Sequence, residues 1–128
     1  MILITGGAYS GKTEFAMRRF SLSETDILDG AECTVEQACS CRAIRDFQLF
    51  VRRFGMNGGA GLAERIYAEN PDIVVISDEI GSGIIPMEKE DRIWREETGR
   101  ACCSIAGNSA AVVRMCCGLP AVIKGELP

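Results

Sequence analysis

Gly6-Gly7-Ala8-Tyr9-Ser10-Gly11-Lys12-Thr13 fits the pattern G-x-x-x-x-G-K-[ST] in full, and these residue types at this spacing suit one task, holding a chain of phosphates. Glycines let successive backbone N–H groups converge on phosphate oxygens, and a helix opening at the end of such a turn adds positive potential. Lys12 is expected to reach the terminal phosphates and the Thr13 hydroxyl to ligate Mg²⁺. ATP or GTP with Mg²⁺ is the expected cofactor. No Asn-Lys-x-Asp pattern is present to read guanine, and its absence does not select adenine.

The metal of such a site needs a carboxylate at the carboxyl end of a neighbouring strand. Two places qualify. Asp29 follows Ile27-Leu28, while Asp78 and Glu79 follow the longer apolar run Ile73-Val74-Val75-Ile76, which by pattern alone is the better match. Either Asp could instead cap a helix or turn; Glu79 is less suited to capping. Asp78 or Glu79 is also placed to orient an acceptor hydroxyl or a water.

The chain of 128 residues contains no histidine, which removes Ser/His and Cys/His pairs, His-ligated zinc and phosphohistidine or nucleotidyl-histidine intermediates from its own chemistry. Its seven cysteines show no C-x-x-C spacing, so they read as small hydrophobes rather than as metal or redox ligands. With no leader-like start, they point to a reducing, cytoplasmic setting. A net charge of −4 gives little support for nucleic-acid or anionic-membrane partners, and no apolar run reaches the length of a membrane span.

The elements that must position these residues follow from periodicity. Ile2 to Thr5 reads as a doubly buried strand, the glycine turn as the link to a helix over about Gly11 to Phe20, and Ile27-Leu28 as a second strand. Thr34 and Gln37 form a capping-box pattern. Behind it Ala43, Ile44, Phe47, Phe50, Val51 and Phe54 continue at helical spacing, which predicts one helix to Phe54 with Arg42, Arg45, Arg52 and Arg53 on its solvated side. Gly55, Gly58, Gly59 and Gly61 read as a loop, Leu62 to Glu69 as a helix, and Ile73 to Ile76 as the clearest strand. Glu88 to about Gly107 reads as a helix interrupted at Gly99, followed by closing strands over Ala111 to Cys117 and Ala121 to Lys124. The pattern predicts a single α/β domain over residues 1–128, a small, mainly parallel sheet with flanking helices like those of P-loop NTPases.

Three blocks carry a resemblance: ILITGGAYSGKTEFA (residues 2–16), VVISDEIGSGIIP (74–86) and AAVVRMCCGLPAVIKG (110–125). Together they resemble the adenosylcobinamide kinase / adenosylcobinamide-phosphate guanylyltransferases of cobalamin biosynthesis. That resemblance implies adenosylcobinamide as phosphoryl acceptor, a substrate loop containing Gly81 and Gly83, and self-association. It also favours Asp29 as the metal carboxylate, from its spacing to Asp78-Glu79. Family members are longer, and the stretch with the histidine that takes up GMP has no counterpart between the first helix and Asp29. Tyr9 stands where the family usually has Arg, and Cys102-Cys103 where it has Asn-Gln.

The expected function is nucleotide-dependent phosphoryl transfer to a corrinoid side-chain hydroxyl, with guanylyl transfer lost. The alternative is a nucleotide-binding regulator or subunit without catalysis.

Overall fold

A computed structural model describes residues 1–80 and 88–128. Its centre is a six-stranded sheet in the order β2-β3-β4-β1-β5-β6. The strands are β1 (Ile2–Gly6), β2 (Ile27–Asp29), β3 (Ala43–Arg45), β4 (Val74–Asp78), β5 (Ala111–Cys116) and β6 (Leu119–Gly125). Neighbours from β2 through β5 pair in parallel, and β6 folds back antiparallel on β5. The parallel strands all point their carboxyl ends to one edge, which is where α/β sheets gather ligands.

Alternation along the strands feeds two cores. Ile2, Ile4, Val74, Ile76 and Val113 meet Phe15 and Ala16 of helix α1 (Lys12–Arg19) on one face. Leu3, Ile44, Val75 and Val112 face the other way, where α3 (Phe47–Phe54), α4 (Gly59–Glu69) and α5 (Lys89–Asn108) cover them. Phe47 and Phe50 of α3 are fully buried there, with ring centroids 5.9 Å apart. No helix among the described residues is long and apolar enough to cross a membrane.

Three expectations change. The helix expected from Thr34 to Phe54 is a single turn, α2 (Val35–Ala38), then strand β3, then α3. The capping box exists, with Thr34 Oγ1 accepting from the Gln37 backbone N–H at 3.1 Å. Asn70 Nδ2 then donates to the carbonyls of Ala38 (3.0 Å) and Cys41 (2.8 Å), satisfying groups that a longer helix would have paired internally. Ala43 and Ile44 enter opposite cores, which only a strand allows for adjacent residues. The glycine loop is also shorter than expected, because α4 begins at Gly59, where a Cβ would run into the carbonyl oxygen of Glu97. Helix α5, finally, runs unbroken through Gly99.

Candidate functional site

The turn after β1 is built by glycines at two points. Gly6 has φ 154°, and a Cβ there would lie 2.6 Å from the Met115 carbonyl oxygen and 2.7 Å from Ser10 Oγ. Gly11, at φ 88°, delivers the chain into α1. The hairpin between β5 and β6 braces the turn from outside: the Gly118 N–H donates to the Ser10 carbonyl at 3.0 Å. Tyr9, at φ 58°, projects fully into solvent.

Lys12 is buried at the centre of this loop. Its Nζ donates to the Gly7 carbonyl at 2.6 Å and lies 2.7 Å from Asp78 Oδ1 and 3.4 Å from Ser10 Oγ. An ammonium withdrawn from water needs such partners, and here a carboxylate matches its charge. The register explains the meeting, because Gly6 and Asp78 are direct partners across β1 and β4. Residues 8–14, together with Asp46, Ile76 and Asp78, line a cavity of about 330 Å³.

The acids divide into distinct settings. Glu79 donates its backbone N–H to the Gly6 carbonyl at 2.8 Å, while Arg114 grips its carboxylate in two places, Nε to Oε1 at 2.8 Å and Nη2 to Oε2 at 3.1 Å. That grip, above all its hydrogen bond, holds the Arg114 guanidinium above its ordinary pKa. Asp29 ends β2, three places from β1 in the sheet, and is not among the residues lining the loop cavity. Its Oδ1 accepts from the Ala31 N–H at 2.9 Å, and its Oδ2 pairs with Arg45 at 3.2 Å. Gly81 and Gly83 lie outside the described residues.

Asp46 and Gln48 were not singled out by the sequence. Asp46 follows β3 with φ 51°, a left-handed kink that turns the chain into α3 and sets its carboxylate on the cavity wall. Arg45 Nη1 holds Asp46 Oδ2 at 3.0 Å, so one guanidinium joins Asp29 to Asp46. Gln48, almost wholly buried, donates from Nε2 to Asp46 Oδ1 at 3.3 Å and accepts the Asp78 N–H on Oε1 at 3.0 Å. A connected chain thus runs Asp29, Arg45, Asp46, Gln48, Asp78, Lys12, crossing the carboxyl ends of β2, β3 and β4 to the loop. The available signal was Ala43-Ile44-Arg45-Asp46, a short apolar run ending in an acid, masked by its fit to the helical period of α3.

The cavity presents side-chain oxygens from Thr13, Glu14, Asp46 and Asp78 beside a lysine. Hard oxygen ligands of this kind suit Mg²⁺, which commonly takes one or two carboxylates and completes its shell with phosphate and water. Among the described residues no three His, Cys, Asp or Glu side chains are arranged to hold a metal unaided.

No curated protein matches the sequence significantly. Residues 57–123, more than half of the chain, match the family described as cobinamide kinase / cobinamide phosphate guanyltransferase. The matched stretch contains α4, β4, α5, β5 and most of β6, and so includes Asp78, Glu79 and Arg114. The chain belongs to the cobinamide kinase / cobinamide phosphate guanyltransferase family.

Proposed function

We propose that residues 1–128 form one nucleotide-binding unit that transfers the γ-phosphoryl group of ATP or GTP to a hydroxyl of a cobinamide-type acceptor. The observation that carries this reading is the buried Lys12 ammonium, held 2.7 Å from Asp78 inside the glycine loop. Phosphate oxygens entering the cavity would replace the Gly7 carbonyl and the Asp78 carboxylate as its partners. Lys12 would then neutralise the phosphates while loop N–H groups orient them.

Asp78, released from Lys12, is placed to accept a hydrogen bond from the acceptor hydroxyl. The hydroxyl oxygen bonds to Pγ as the bridge to the β-phosphate breaks, the nucleoside diphosphate leaves, and Asp78 receives the hydroxyl proton. Glu79 is less free for this role, since Arg114 occupies both of its oxygens. Thr13 and Asp46 are the residues we assign to Mg²⁺, in place of Asp29, because they share the cavity with the loop. The ion would supply charge neutralisation between the β- and γ-phosphates. Guanylyl transfer through a histidine is not assigned to this chain, which contains none.

Calorimetric titration with Mg·ATP and Mg·GTP, followed by a phosphoryl-transfer assay on adenosylcobinamide, tests the reading. Acceptor-dependent turnover that falls on the order of 100-fold or more in Lys12→Ala supports it. Unchanged turnover in Lys12→Ala overturns it. Nucleotide binding without acceptor-dependent turnover selects a catalytically silent regulator instead.

A further inference from the structure

A second cavity, of about 320 Å³, lies on the α5 side of the sheet and touches the first at a single residue, Asp78. Thr5, Glu79, Arg95, Thr98 and Gly99 contribute to its walls, which are mostly apolar. The two cavities occupy opposite faces: Ile76 lines the loop cavity, whereas Thr5, the residue paired with Ser77, lines the other.

Two features of α5 make this cavity more than a gap in packing. Thr98 is buried, and its hydroxyl has no hydrogen-bond partner among the described residues, a cost that a helix could avoid with valine. Gly99 stands mid-helix, where alanine would be the better residue, and a Cβ there would meet nothing within 4 Å. Among the described residues no close approach of another element requires the glycine. Adjacent positions on the cavity wall each forgo helix or core stability, one by keeping an idle polar group and one by keeping space.

We propose that this second cavity receives the hydroxyl-bearing arm of the phosphoryl acceptor, with Thr98 as its polar contact and Gly99 as the space through which it enters. The inference rests on the kinase reading and deepens it. A volume at the small end of ligand pockets fits an arm and excludes a macrocycle, so the bulk of a cobinamide would stay outside. Asp78 is then the residue shared by the two substrates, with the phosphates on one side and the hydroxyl on the other.

The test uses the full chain, with Mg·ATP or Mg·GTP and adenosylcobinamide as probes. Gly99→Leu should raise the acceptor KM at least tenfold while nucleotide affinity, read by calorimetry, stays within twofold of native. Thr98→Val, which keeps the shape and removes the hydroxyl, should raise both the melting temperature and the acceptor KM. A merely structural role for Thr98 would not move KM. An acceptor KM within twofold of native in a folded Gly99→Leu overturns the proposal; should that variant not fold, the same result in Thr98→Val overturns it. Native protein that binds no nucleotide would instead overturn the kinase reading beneath it.

Discussion

The side-chain oxygen of Gln48 accepts the backbone N–H of Asp78 at 3.0 Å, so the position of the carboxylate nearest Lys12 depends on a residue one strand away. The same amide donates to Asp46 at 3.3 Å, which ties Asp46 and Asp78 to one buried side chain. Gln48→Leu keeps the approximate volume but leaves the Asp78 N–H without its partner. The expected loss is about 1–3 kcal/mol of stability, read by urea unfolding, because the abandoned donor is part-buried. Turnover should fall further than stability accounts for, since Asp46 and Asp78 both lose a fixed reference.

Asp29 and Asp46 make a discriminating pair. Asp46→Asn should reduce turnover by a factor on the order of 100 and raise the Mg²⁺ concentration needed for half-maximal rate. Asp29→Asn removes one partner of Arg45, whose side chain is 41% exposed, so its effect on stability should stay under about 1 kcal/mol. Its effect on the Mg²⁺ requirement should be a few-fold, acting through Arg45 on Asp46. A Mg²⁺ titration of both variants decides the matter: equal losses would return the metal carboxylate to Asp29.

That pair also marks where the sequence was legible and where it was not. The loop from Gly6 to Thr13, β1 and β4 are written in contiguous residues, as a motif between apolar runs, and local reading recovers them. β3 is only three residues long, and Ala43 and Ile44 fit the helical period that Phe47, Phe50 and Val51 continue. Nothing local separates the two readings, because what makes Ala43–Arg45 a strand is parallel pairing with β2 and β4, residues distant along the chain. With β3 hidden, Asp46 fell inside the expected helix and did not stand as a strand-end acid, while Asp29 was favoured by the resemblance through its spacing to Asp78-Glu79.

The glycines after α3 make a paired stability prediction. Gly59 is packed so that a Cβ would collide with the Glu97 carbonyl, a backbone atom that cannot swing away. Gly59→Ala should cost about 1–3 kcal/mol or more, since α4 and α5 would have to separate. Gly61 has open space around its missing Cβ and lies on the exposed side of the same helix, so Gly61→Ala should gain about 0.5–1 kcal/mol. Thermal melts of the two variants should move in opposite directions. Movement in the same direction would contradict the close approach of α4 to α5.

The cysteines around α2 predict a stability change in alkali. Burial is the largest influence on both Cys39 and Cys41 and pushes each thiol up to about 11, with hydrogen bonding to Glu69 adding to the effect at Cys39. In the unfolded chain a thiol ionises near its ordinary value of 9.0. Folding therefore favours the protonated thiols: their contribution is fully present below about pH 9 and is lost as pH rises towards 11. Urea unfolding across this window should show stability falling, and the Cys39→Ala, Cys41→Ala double variant should show a shallower fall. Because the thiolate is the reactive form, iodoacetamide at pH 8 should label the exposed Cys103, Cys116 and Cys117 before Cys39 and Cys41, as read by peptide mass mapping. Early labelling of Cys41 would mean that the region around α2 opens in solution, and the alkaline loss of stability should then disappear with it.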